Sequence, residues 1–308
     1  MNTTPATPQL TSTTATHRAL VLGGGGSTGN AWLIGVIAGL FDAGLDVTTA
    51  DLTIGTSAGS TAAAQLAGAT PTELLTAILA AAPQQQTGPV GSDRAPVPTR
   101  RPVADHLTRI STIIASAEDA ADLRRRLGAA ALEIPAASDG SWQTQWRATV
   151  AARLPSPRWP QRKVLITAVD AQTGEPAVFD RDSGVDLTDA VAASCASGPP
   201  YNIGERRYID GGYRSNAENA DLAAGYQRVL VLSPFGGRTL LPLAWGMHLA
   251  AQVDALRAGG SRVETIFPDR DSEHLFGANA MDLSLRPPAA RAGYAQGQDL
   301  ADQLTEFW

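Results

Sequence analysis

The stretch Ala19-Leu20-Val21-Leu22-Gly23-Gly24-Gly25-Gly26-Ser27-Thr28-Gly29 decides the fold. A short apolar run feeds directly into glycines, the pattern of a buried strand ending in a tight loop. Helical spacing follows from residue 29 to residue 40, with Trp32, Val36 and Leu40 four apart on one face. Residues 24–29 also fit G-x-G-x-x-G, which in a dinucleotide-binding fold cradles a pyrophosphate on backbone N–H groups. That reading needs an acidic residue at the end of the second strand. The second strand is residues 52–55; Asp46 and Asp51 both precede it, and a serine follows it instead.

Working outward, a small-residue helix starts near Ser57, and Pro71 opens another that runs to residue 82. Residues 83–102 (PQQQTGPVGSDRAPVPTRRP) are long enough for a functional loop or lid. Helical segments then occupy about 103–153. Strand signals resume at 163–169, 177–179, 206–209, 229–232 and 262–267, with helices around 187–195, 240–257 and 288–304. Short buried strands separated by helices predict an α/β fold, a largely parallel sheet with helices on both faces. Residues 1–17 read as a disordered tail and 18–308 as a single domain carrying a helical insertion at about 83–160.

Composition narrows the function. The chain has 308 residues, 44% hydrophobic and 18% charged, as expected of a soluble globular protein and not of a disordered one. Cys195 is the only cysteine, so an intramolecular disulfide and a cysteine-based metal cluster are both ruled out. No metal or cofactor is called for. A net charge of −6 argues against a nucleic-acid partner. It also argues against tight electrostatic binding to anionic membranes, while transient contact with a neutral lipid interface is allowed. Residues 1–16 lack the basic start and apolar run of a secretory signal. The longest apolar stretch, 31–41, falls short of the roughly 20 residues a bilayer requires. The expected location is cytoplasmic.

The serine after the second strand sits in Gly55-Thr56-Ser57-Ala58-Gly59, a G-x-S-x-G between strand and helix. Gly55 and Gly59 suit a nucleophile elbow, where a sharp turn leaves no room for Cβ atoms on the flanking residues. Serine needs a base to take its proton. Of the four histidines, His17 adjoins the tail, His106 lies in the helical insertion, His248 lies in an apolar stretch and His274 follows Asp271 and Glu273 at the surface. A stronger base is Asp210, at a strand end in Ile209-Asp210-Gly211-Gly212, although Asp-Gly turns after strands are common.

Together, a glycine-rich loop after the first strand, G-x-S-x-G after the second and a distant D-G-G resemble the patatin-like phospholipase family. The resemblance covers about 19–66 and 164–234 and includes Ala193-Ser194-Cys195-Ala196. It implies a three-layer α/β/α fold and a Ser–Asp dyad without histidine. Ser57 is then the nucleophile, Asp210 the base, and the N–H groups around Gly24, Gly25 and Gly26 the oxyanion hole. The implied activity is serine acyl hydrolysis of lipid carboxylic esters through an acyl-enzyme, with Asp210 raised in pKa by burial. Two departures stand out. Thr28 occupies a place where the family usually carries a basic residue, and residues 197–200 form a shorter segment before D-G-G.

Two other readings compete. An α/β-hydrolase would use a Ser57–Asp210–His248 or Ser57–Asp210–His274 triad, but its nucleophile normally follows several strands. A non-catalytic lipid- or acyl-binding protein on the same scaffold is the second. Among weaker features, Trp142, Trp146 and Val150 form an apolar stripe that reads as core packing. Arg124, Arg125 and Arg126 read as a solvated helix face, and Cys195 as a small buried side chain in a helix.

Overall fold

The computed structural model describes residues 17–81, 103–134 and 141–308, with 103–107 as backbone alone. Of the expected disordered tail over 1–17, residues 1–16 lie outside the described residues, as does the expected lid at 83–102; His17 donates its N–H to Gln227 Oε1 at 3.2 Å. Strand β1 (Arg18–Leu22) pairs parallel with β2 (Leu52–Gly55) on one side and with β7 (Arg228–Leu232) on the other. Further parallel pairs join β2 to β3 (Lys163–Asp170) and β7 to β8 (Arg262–Ile266). Three antiparallel strands complete the sheet: β4 (Pro176–Phe179) and β6 (Arg206–Asp210) pair with β3, and β5 (Tyr201–Ile203) pairs with β6.

The apolar runs are buried on both faces because successive side chains alternate across the sheet. Leu20, Leu22, Leu230 and Leu232 enter one core, whereas Ala19, Val21, Val229 and Val231 enter another. The first core is closed by α1 (Gly26–Asp42), α2 (Ala58–Leu66), α3 (Pro71–Ala80), α7 (Leu187–Ser194) and α9 (Arg286–Phe307). The second is closed by α8 (Leu249–Ala258). Over the antiparallel part, α4 (Val103–Ser116) and α5 (Ala120–Leu132) place Ile114, Leu123 and Leu127 against Val169 and Ile209. This is the α/β architecture the sequence implies, with helices on both sides of a mainly parallel sheet. Helix α1 is buried on all sides from Thr28 to Leu40, because α9 packs along it at a seam where Gly39 meets Gly297. No helix among the described residues is long and apolar enough to cross a membrane.

The pairing register explains how distant residues meet. Ile166 of β3 pairs with Gly55 of β2 and with Phe179 of β4, while Ala168 pairs with Ala177 of β4 and Asp210 of β6. A strand residue has one neighbour on each side, so β4 occupies one flank of β3 and β2 and β6 share the other. These two run head-on. Their C-terminal ends, Gly55 and Asp210, stop on either side of Thr167.

Several local expectations change. A helix over 240–257 begins only at Leu249, because Pro242 and the positive φ of Gly246 (65°) keep residues 240–248 in a loop with one 3-10 turn. Strand β5, three residues long, is too short to show periodicity. Cys195 lies just beyond the end of α7. Arg124 is not on a solvated face: its guanidinium donates to the carbonyls of Gly174 and Arg214, and only Arg125 and Arg126 stay exposed, paired with Asp122. In α6 (Ser141–Ala151), Val150 is buried and the half-buried Trp146 donates its indole N–H to Ala192, as core packing requires.

Candidate active site

Ser57 lies two residues beyond the end of β2 and is the N-cap of α2. Its backbone has φ 51° and ψ −114°, and Asn219 is the only other non-glycine residue with positive φ among the described residues. Such a conformation costs about 1–3 kcal/mol and persists where the surroundings enforce it. Three contacts do so. The Ser57 N–H donates to Ser194 Oγ at 2.9 Å, and the Ser57 carbonyl accepts from Ser60 Oγ at 2.6 Å and from Cys195 Sγ at 3.1 Å. Burial pushes the Cys195 thiol up to about 11, so it stays a neutral donor. Gly59 allows α2 to start this close to β1, since a Cβ there would lie 1.9 Å from the Leu22 carbonyl oxygen.

The head-on arrangement of β2 and β6 delivers Asp210 to this serine. Ser57 Oγ donates to Asp210 Oδ2 at 2.8 Å, and the Gly212 N–H donates to Asp210 Oδ1 at 2.8 Å. Asp210 is 8% exposed. Burial raises its pKa to about 6, against the lowering effect of those two hydrogen bonds. Its basicity is thus set by desolvation, which disfavours the charged form.

Beneath the pair lies a buried polar network. Asn219 Nδ2 donates to Thr56 Oγ1 at 3.0 Å and to the Gly211 carbonyl at 3.0 Å, and Thr56 Oγ1 lies 2.9 Å from Thr167 Oγ1. Asn219 Oδ1 accepts from Arg214, which forms two 2.9 Å contacts with Asp221. The network ties the end of β2, the middle of β3 and the turn after β6 into one unit.

The glycine loop passes beside Ser57: a Cβ on Gly24 would sit 3.5 Å from the Ser57 Cβ. One of its three expected oxyanion donors is corrected. The Gly24 N–H donates to the Ala217 carbonyl at 2.8 Å and is not available, whereas the N–H groups of Gly25 and Gly26 have no acceptor among the described residues. The loop is held from the far end of the chain. Thr28 N–H donates to the Ala280 carbonyl at 3.0 Å, and Arg286 donates to Ser27 O at 2.9 Å and to Asn30 Oδ1 at 3.2 Å. Asn30 in turn donates to Gln65 Oε1 at 2.9 Å on α2. Gly26 adopts φ 64° under Ala280, where a Cβ would lie 2.7 Å from its carbonyl oxygen.

Neither histidine of the alternative triads joins the pair. His248 Nδ1 is buried without a partner, and His274 Nδ1 lies 2.9 Å from the Asp271 carbonyl. His17 is exposed near Asp51, and the His106 side chain lies outside the described residues. Two cavities of about 360 and 380 Å³ are lined by neither Ser57 nor Asp210. Among the described residues, no group of three or more His, Cys, Asp or Glu is placed to hold a metal ion. Sequence reasoning missed Asn219, Arg286 and the roles of Ser194 and Cys195 behind Ser57. Only the last two carried a signal, the small polar pair closing an Ala-rich helix.

The model of the family described as patatin-like phospholipase matches residues 20–221, which include Ser57, Asp210 and the glycine loop. No curated protein matches the chain. Among solved structures, VipD from Legionella pneumophila is similar at 13% identity and a TM-score of 0.43, over 94% of this chain and 67% of that one. The type III effector protein ExoU is similar at 14% identity and a TM-score of 0.31, over 92% of this chain. This chain spans 53% of ExoU, about half its length. The match of the family model over most of the chain shows that it belongs to the patatin-like phospholipase family.

Proposed function

We propose that the protein hydrolyses carboxylic esters of lipids, with Ser57 as nucleophile and Asp210 as the only base. Membership of the family supports lipid acyl hydrolase activity. The observation that carries the finer reading is the 2.8 Å hydrogen bond from Ser57 Oγ to a buried carboxylate that no described histidine touches. Asp210 takes the Ser57 proton as Oγ bonds to the ester carbonyl carbon, and the carbonyl oxygen becomes an anion. The free N–H groups of Gly25 and Gly26, at the positive end of α1, are the donors for that anion. The ester C–O bond then breaks and the leaving alkoxide takes the proton from Asp210. Water next gives a proton to Asp210 and its oxygen to the acyl carbon, and Ser57 leaves with that proton as the carboxylic acid forms.

Strain at Ser57 supports a catalytic role over a purely structural one, since a serine that only filled a turn would relax toward negative φ. A fluorophosphonate probe tests the reading. The wild type is expected to label and Ser57→Ala to remain unlabelled. An unlabelled wild type would overturn the hydrolase reading.

A further inference from the structure

Five large apolar side chains are exposed among the described residues, and four of them crowd one edge of the sheet. Leu240 (59%) and Leu243 (67%) lie on the loop after β7, and Phe267 (40%) and Met281 (66%) on the segment after β8. Strands β1, β2, β7 and β8 are parallel, so these segments leave the sheet at the same edge as the glycine loop and Ser57. The two segments touch each other, with the Phe267 ring 3.5 Å from a Cβ built on Gly237.

The exposure is built, because each segment is anchored by the neighbours of its exposed residues. Leu241 and Trp245 turn inward onto the cluster that contains Ile209 and Tyr213, on either side of Asp210. Leu240 and Leu243 are thereby left outward on the Asp210 flank. On the opposite flank, Met281 Sδ lies 3.0 Å from a Cβ built on Gly26, directly over the free loop donors. Arg238 and Arg270 are the only basic side chains fully charged at neutral pH between residues 236 and 285 outside α8 and β8, against Asp269, Asp271, Glu273 and Asp282. An apolar rim of slight negative charge does not attract an anionic surface.

We infer that this rim docks the protein on an electrically neutral lipid surface, zwitterionic phospholipid in particular, with the Ser57–Asp210 pair facing the lipid. The choice of lipid as occupant rests on the hydrolase reading above. A surface of this kind lets Leu240, Leu243 and Met281 bury in the interface while the strand ends stay fixed above it.

The test uses full-length Ser57→Ala protein, which leaves lipid intact, sedimented with phosphatidylcholine vesicles. The protein is expected to co-sediment, and Leu240→Ser with Leu243→Ser on the same background to partition roughly tenfold less. Both side chains are exposed, so the fold survives the change. Replacing part of the phosphatidylcholine by phosphatidylglycerol is expected not to strengthen binding. The inference is overturned if the parent stays in the supernatant, if the double variant binds equally, or if anionic lipid is required. It is also overturned if light scattering finds a dimer that the double variant dissociates, since the rim then meets a second copy. Turnover of soluble 4-nitrophenyl butyrate by the wild type reports separately on the hydrolase reading.

Discussion

The inner and outer parts of the same sheet edge are built on opposite principles. In the inner part, Ser57, Asp210 and Asn219 are held by strand ends, and almost every polar atom there is engaged. In the outer part, Leu240, Leu243 and Met281 are largely exposed. The contrast teaches that the strained, desolvated centre and the apolar rim are separable: substitutions in the first should remove chemistry, and those in the second only the approach to lipid.

The largest expected effect comes from Asp210→Asn. Turnover of a soluble ester should fall by about a thousandfold or more, as for loss of a general base acting on its nucleophile. Stability should move the other way. The Asp210 pKa is raised in the folded protein, so its neutral form contributes stability at low pH, and that contribution is lost as pH rises through about 6. Thermal unfolding should therefore find Asp210→Asn more stable than the wild type at neutral pH, by about 1–3 kcal/mol, and equal to it near pH 4. An inner part that was not strained by a buried charge would show no such gain.

Asn219→Ala comes next. It removes the amide that ties Gly211 O to the Thr56–Thr167 pair in a buried site, leaving Gly211 O only the Arg214 N–H, and φ 55° disfavours the alanine. Denaturant titration should record a loss of about 2–3 kcal/mol, accompanied by reduced turnover. Arg286→Gln should act more mildly. The guanidinium only holds the glycine loop, so a fall of about tenfold in kcat with little change in KM is expected, partly restored by Arg286→Lys. Comparable losses of binding and turnover would place Arg286 in the substrate site. The smallest effect belongs to Leu240→Ser with Leu243→Ser, which should alter 4-nitrophenyl butyrate turnover by less than about twofold.

Much of the inner part was legible because its signals are local. Glycines after a four-residue apolar run and G-x-S-x-G after another can be read without knowing where the chain goes. Asp210 was legible only in combination with them. What could not be read depends on contacts across the fold: Arg286 meets Ser27 from 259 residues away. The resemblance implies donors around Gly24, Gly25 and Gly26 alike, and only the approach of Ala217 distinguishes Gly24 from the other two. The rim was misread for a related reason. The apolar spacing of residues 240–257 resembles a helix, yet Pro242 and Gly246 break it, leaving Leu241 and Trp245 inward and Leu240 and Leu243 outward.

The pH dependence of kcat/KM on a soluble ester bears most directly on a base without histidine. It should be measured for the wild type and for a variant with His106, His248 and His274 replaced by alanine. Both curves are expected to rise about tenfold per pH unit up to an inflection near 6 and to level off together above it. Loss of the activity, or displacement of the inflection, on removal of the histidines would contradict the dyad.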